Sequence, residues 1–261
     1  MVYVEELSFS YRRDHPIFLN FSWHIGKGEI WSIIAPSGYG KTTLLYLLAG
    51  LYLPASGRIS INGKPLKGTR ISTGLILQDY GLLPWATAHD NISLGMKIRH
   101  FNNKEVESVT NRWLEKLDIA AMAKHYPSEL SGGQRQRVAI ARTLALEPDL
   151  LLMDEPFGSL DMLTRENLQN LIIKLRRDMP SMSIVVVTHN IEEAVFLGEK
   201  ILVFHHLPVA VPELLVNHNS GYLDYRNSPG FIEKCGELRE LINNGASADG
   251  RLERLFSGEV K

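Results

Sequence analysis

The residues of this chain whose types and spacing suit chemistry fall in four short stretches. Ala35-Pro-Ser-Gly-Tyr-Gly-Lys-Thr42 joins an apolar run, Ile30-Trp-Ser-Ile-Ile34, to a leucine-rich segment. Backbone N–H groups in such a loop converge on phosphate oxygens, and the positive end of the following helix points at the same place. Gly38 and Gly40 admit backbone conformations closed to residues with a Cβ. Lys41 supplies a point charge for outer phosphates, and Thr42 a hydroxyl for magnesium. The customary first residue of this loop is glycine, and here it is Ala35. A position at the end of a strand takes β-region dihedrals, so Ala35 is predicted to keep a negative φ at no cost. A positive φ would cost about 1–2 kcal/mol.

Leu130-Ser-Gly-Gly-Gln-Arg-Gln-Arg137 forms a second anion site, combining the Ser131 hydroxyl, unpaired N–H groups and a helix dipole. One nucleotide does not need both helix starts from the same chain, but two chains arranged head-to-tail would pair them. Leu150-Leu-Leu-Met-Asp154-Glu155 is an apolar strand ending in two carboxylates, expected at the carboxyl edge of the sheet beside the phosphate loop. Adjacent strand residues point opposite ways, which separates the two roles. Asp154 suits ordering magnesium through water, and Glu155 suits polarising an attacking water. Val187-Thr-His189 ends another apolar strand. A lone histidine is more often a capped or surface residue, so its strand-end context is what singles out His189.

Several elements must position these groups. Strands are predicted at Val2–Val4, Phe21–Ile25, Ile30–Ile34, Arg58–Ile61 (entering a tight Asn62-Gly63 turn) and Leu75–Leu77. Further strands are predicted at Leu150–Met153, Ile184–Val187 and Ile201–Phe204. Leu44, Leu45, Leu47, Leu48 and Leu51 imply a buried helix after Lys41. Further helices are expected over Asn103–Asp118, from Gln134 to Glu147 (stopped by Pro148), and over Leu163–Arg177. Strand, helix, strand at this spacing implies a parallel sheet with right-handed crossovers. From about Leu207 the chain changes character. Leu207–Pro212 reads as extended, and a packing helix starts at Ser228-Pro229 and stops at Gly245, with Ile232, Cys235, Leu238, Leu241 and Ile242 on one face.

Composition narrows the function classes. The 261 residues are 44% hydrophobic and 22% charged, enough for a core of ordinary size. A formal net charge of -1 gives no global pull toward nucleic acid or anionic lipid. The single cysteine, Cys235, cannot form an internal disulfide, which suits a reducing compartment, and it reads as a helix-face or core residue. The N-terminus does not read as a secretory signal, and no apolar run approaches the ~20 residues that span a bilayer.

With these motifs in this order, the chain from about Tyr3 to Phe204 resembles the ABC-type ATPases. The resemblance implies an α/β fold, a P-loop NTPase core with a parallel sheet, an N-terminal antiparallel β subdomain and an inserted α-helical subdomain. Within it, residues 1–205 form the ATPase domain, about 79–148 the helical insertion, and 206–261 a helical tail packed on the core. ATP and Mg2+ are the implied cofactors. The nucleotide would be bound by Ser37, Gly38, Tyr39, Gly40, Lys41, Thr42 and Thr43 of one chain. Ser131, Gly132, Gly133 and Gln134 of a second copy would complete the site. Tyr11 resembles the aromatic that stacks on adenine, with Phe9 as the fallback. Gln78 resembles a glutamine that reaches magnesium or water when the site closes. Magnesium would thus involve Thr42, Gln78 and Asp154, and catalysis Glu155, His189 and Gln78. Gly158-Ser-Leu-Asp161 matches the loop that touches the partner chain.

The stretch Gln78-Asp-Tyr-Gly-Leu-Leu-Pro-Trp85 resembles the region that, with the helices after it, receives a short helix from a membrane-spanning permease. Leu-Leu-Pro-Trp85, Asp-Glu-Pro-Phe-Gly158 and Thr-His-Asn-Ile-Glu-Glu-Ala194 together look like the importer branch for nitrate, sulfonates, taurine and related small solutes, a look shared by thiamine-precursor importers. This implies a peripheral protein on the cytoplasmic face of the inner membrane, served indirectly by a solute-binding protein and binding no nucleic acid. The rivals are a soluble ABC ATPase acting in DNA repair or on ribosomes, and a monomeric P-loop kinase or GTPase. The first would usually carry long coiled-coil insertions or two ATPase units, and the second would not need the Ser131 motif.

Overall fold

The computed structural model describes residues 1–12 and 14–248. In chain order the first elements are β1 (Val2–Arg12), β2 (His15–Ile25), β3 (Ile30–Ile34), α1 (Lys41–Leu48), β4 (Ser56–Ile61), β5 (Lys64–Pro65) and β6 (Thr73–Ile76). The helices α2 (Ala88–Ile98), α3 (Asn103–Lys116) and α4 (Gly132–Leu144) follow, then β7 (Leu150–Asp154) and α5 (Met162–Asp178). The chain continues with β8 (Ser183–Thr188), α6 (Ile191–Leu197), β9 (Lys200–Val203), β10 (Glu213–Val216) and α7 (Pro229–Ala248). The elements divide into two compact units: one is Met1–Arg70 with the chain from Ser183 on, the other Ile71–Met182.

The first unit holds an antiparallel sheet ordered β2-β1-β4-β5. The β4–β5 turn is made by Asn62 (φ 51) and Gly63 (φ 74), the left-handed pair a tight hairpin demands. The same unit holds β10-β9-β3-β8, in which β3 runs parallel to β8 and β9, and β10 is antiparallel to β9. All five residues of β3 and all six of β8 are buried, the near-continuous apolar run of a strand covered on both faces. Phe18, Phe21 and Phe204 are fully buried with ring centres 5.3–6.2 Å apart. In the second unit β6 and β7 pair in parallel, accompanied by α2, α3, α4 and α5.

Several local expectations are corrected. Helix α1 ends at Leu48, and Leu51 is 51% exposed instead of lying on a helix face. The stop is steric: Gly50 is left-handed (φ 72), and a Cβ there would lie 2.0 Å from the Gly68 carbonyl oxygen. Helix α4 begins at Gly132, two residues before the expected start, because Ser131 and Gln134 form a reciprocal capping box around it. Helix α7 continues past Gly245 to Ala248. Ile232 is 74% exposed while Phe231, Cys235 and Leu238 are buried, so the packed face is rotated by one residue. Leu207–Pro212 is largely irregular, tied to β2 by a bridge between Val209 and Phe18.

Candidate functional site

In the first unit the phosphate loop runs from buried β3 into α1. Gly38 (φ 85) and Gly40 (φ 83) are both left-handed. At Gly38 a Cβ would meet nothing within 4 Å, so its glycine serves dihedral freedom and leaves the loop face open. At Gly40 a Cβ would lie 2.5 Å from Ile17 Cγ2 and 3.2 Å from Phe18 Cζ, so β2 packs directly against the loop. Ala35 is not among the residues with positive φ, as expected for a strand end. Lys41 is 6% exposed, and its ammonium donates to the carbonyl oxygens of Ala35 (2.7 Å) and Pro36 (3.1 Å). A buried ammonium held by its own loop is a preplaced cation for an anionic ligand.

Tyr11 is 57% exposed, and its hydroxyl lies 3.0 Å from Thr43 Oγ1, which ties β1 to the first turn of α1. Phe9 and Tyr52 pack edge-on against the Tyr11 ring, at 5.1 and 5.7 Å. Phe9 is half-buried, so Tyr11 is the ring presented to solvent. Ser37 and His189 share the wall of a cavity of about 490 Å³, together with Ala35, Pro36, His205 and Arg239. His189 is exposed just beyond β8, and Asn190 caps α6 by accepting from the Glu193 N–H at 3.0 Å. Thr42 is half-buried.

In the second unit Asp154 is the last residue of β7 and is 6% exposed. Glu155 has already left the strand, with φ 43, so strand alternation does not set its direction. A left-handed glutamate is uncommon, and such backbone conformations gather at functional sites. Gln78 is exposed two residues after β6. Ser131 accepts from the Gln134 N–H (3.3 Å), and the Gln134 side chain accepts from the Ser131 N–H (2.8 Å). Gly132 and Gly133 form the first turn of α4, where N–H groups lack intrahelical partners. Asp161 caps α5, and its carboxyl lies below the usual range because the Thr164 N–H donates to it at 3.0 Å.

Trp85 is 74% exposed, whereas Leu82 and Leu83 are half-buried. The backbone here is held by Asn91, a fully buried residue that the sequence reading does not single out. Its carbonyl oxygen accepts from the Leu83 N–H (2.8 Å), and its amide donates to Leu83 (3.2 Å), Ala86 (3.0 Å) and Thr87 (3.0 Å). An Asn six residues beyond Trp85 gives no sequence signal of this role.

The chain is similar to known proteins. The family model described as ABC transporter matches residues 18–158. The Nitrate import ATP-binding protein NrtD of Synechocystis sp. is 40% identical over 232 residues, covering 85% of this chain and 86% of that protein. The Taurine import ATP-binding protein TauB of Pseudomonas aeruginosa is 40% identical over 210 residues, covering 80% of each. A solved ATP-binding cassette, described as a dimeric post-hydrolysis state bound to ADP and Pi, superimposes with a TM-score of 0.70 at 31% identity, covering 78% of this chain and 94% of that one. CbiO1 of Clostridium perfringens, part of an ABC transporter complex, gives 0.70 at 28% identity, covering 77% and 83%. The family model and the relatives' identity over most of the chain show that this chain belongs to the ABC transporter family.

Proposed function

We propose that this chain is the ATP-hydrolysing subunit of an importer for a small solute of the nitrate, sulfonate or taurine kind, with thiamine precursors as the alternative class. It would act as a head-to-tail pair on the cytoplasmic face of the inner membrane. The observation that carries this reading is Lys41, an ammonium held in a phosphate loop, on a chain that separately bears the capped Ser131 helix start. The relatives' names, nitrate and taurine import ATP-binding proteins, support the solute class. Among the described residues no helix is long and apolar enough to cross a membrane, so passage falls to permease subunits, which Trp85 and the Gln78–Trp85 stretch would engage. A solute-binding protein would deliver the cargo. The helical part at about 79–148 would carry the permease contact, and the tail from 206 would brace the core.

In this reading the Lys41 ammonium leaves the Ala35 and Pro36 carbonyls for the outer phosphates. N–H groups of Ser37 to Thr43 surround those phosphates, and Tyr11 stacks on adenine. Ser131, Gly132, Gly133 and Gln134 of the second copy close over the terminal phosphate. Glu155 accepts a proton from the attacking water as the water oxygen bonds to the terminal phosphorus. The bridging bond to the β-phosphate breaks, giving ADP and phosphate. His189 steadies the terminal phosphate, and Gln78 orients the water. Thr42 would offer magnesium a hard hydroxyl oxygen, Asp154 would order it through water, and Gln78 would reach the metal or its water. When bound, magnesium would neutralise charge on the phosphates.

The test is reconstitution with the permease from the same gene neighbourhood. Taurine or nitrate should stimulate hydrolysis and enter proteoliposomes only with ATP on the side of this subunit. Failure of this chain to associate with any neighbouring permease would sink the importer reading.

A further inference from the structure

We propose that Tyr80 is a positioning residue for ATP hydrolysis, joining the turn that presents Gln78 to the loop that carries Ser159. The inference rests on the assignment of Gln78 to the hydrolytic site made above, and all of its contacts lie within the Ile71–Met182 unit.

Strand β6 ends at Ile76 and the chain turns at once. The Tyr80 N–H donates to the Leu77 carbonyl at 3.0 Å, closing a turn with Gln78 and Asp79 at its exposed tip. Tyr80 is left-handed (φ 66), as is Gly81 (φ 55). A bulky residue seldom holds that conformation unless its surroundings over-determine it. The surroundings here come from α4. Arg142 donates to the Tyr80 carbonyl oxygen (2.9 Å) and to that of Gly81 (2.6 Å). Burial pushes the Arg142 guanidinium below its ordinary value, against the opposing charge of Asp79, as fits a cation set into a backbone cradle. Arg135 lies 5.9 Å from the centre of the Tyr80 ring.

The hydroxyl has a separate task. Tyr80 is 7% exposed, and its hydroxyl oxygen lies 2.8 Å from Ser159 Oγ, 79 residues along the chain. A phenylalanine would fill the same space, so packing does not require this oxygen. Ser159 is exposed in the Gly158–Asp161 loop, two residues before the cap of α5. The ring therefore sits beneath two exposed loops, and displacement of one is passed to the other. Gln78 and the loop expected to touch the second copy are held in a common register.

Steady-state hydrolysis by the full-length protein tests this, using Tyr80→Phe, Ser159→Ala, their double variant and Ser159→Thr. Each of the first two should lower kcat about tenfold with KM for ATP unchanged, and the double variant should fall no further. Ser159→Thr, which keeps a hydroxyl, should retain most of kcat. Independent losses that multiply in the double variant would overturn the link. An unchanged kcat in Tyr80→Phe would do the same, as would a raised KM with a lowered melting temperature in place of a kcat loss. Gln78→Ala in the same assay addresses the underlying assignment separately: full turnover there refutes the role of Gln78 whatever Tyr80→Phe does.

Discussion

Gly133 approaches Thr164 so closely that an added Cβ would lie 2.4 Å from Thr164 Cγ2. The first turn of α4 and the first turn of α5 meet at that point, and the threonine is β-branched, with little rotamer freedom to yield. Gly133→Ala is therefore expected to destabilise the protein by about 1–3 kcal/mol, the usual cost of overpacking. Adding Thr164→Ser, which removes the offending methyl, should restore the denaturation midpoint. Hydrolysis should stay low in the double variant, because the new Cβ still crowds the N–H groups proposed to face a phosphate. If Thr164→Ser fails to restore stability, this contact is not what requires glycine.

Ala35 provides a second check. Its backbone stays out of the left-handed region, so glycine offers it no conformational relief. Ala35→Gly should leave kcat within about twofold and lower stability by about 0.4–1 kcal/mol through the added freedom of the unfolded chain. A large gain in activity would show that alanine impairs the loop.

Cys235 is buried on α7, and burial pushes its thiol up to about 11, aided by the charge of Glu192. The thiolate is the reactive form, so at pH 8 labelling by iodoacetamide should be roughly a hundredfold slower than for an ordinary cysteine. The rate should rise about tenfold per pH unit until the thiol titrates. Mass spectrometry of timed samples reads this directly, and rapid labelling at pH 8 would contradict it.

Trp85 is the large apolar side chain exposed in the Gln78–Trp85 stretch, 74% open to solvent. With the loop held from behind by Asn91, Trp85→Ala removes a surface group and little else. Co-purification with the permease should fall at least tenfold while nucleotide binding, measured by fluorescence titration, stays unchanged. Retained association would remove Trp85 from the proposed interface.

Much of this was legible from local sequence pattern. Strand β3 is found at its expected bounds and α1 follows the phosphate loop as its leucines imply, because each signal spans only a few residues, whereas α4 starts two residues early. Helix α2 is absent from the sequence reading. Its interior Gly95 weakens the pattern, yet that glycine makes room for Leu146, whose Cδ1 would stand 2.7 Å from a Cβ there. The Thr87 side chain accepting from the Asp90 N–H was the available signal for its start. Strand β10 gives little sequence signal because it is a short, largely exposed edge following Pro212. Strand alternation does not set the direction of Glu155, because the strand stops one residue earlier. Asn91 and Arg142 act through hydrogen bonds to irregular or distant backbone, and Tyr80 through the side chain of a distant serine, none of which periodicity encodes.

The account stands on a nucleotide site completed by two copies of the chain. Light scattering on the gel-filtered Glu155→Gln variant, with and without ATP and magnesium, measures this most directly. The mass should double when ATP is present, and Ser131→Arg in the same background should abolish the doubling. A mass that stays monomeric at saturating ATP, or a dimer indifferent to Ser131→Arg, would contradict the shared site.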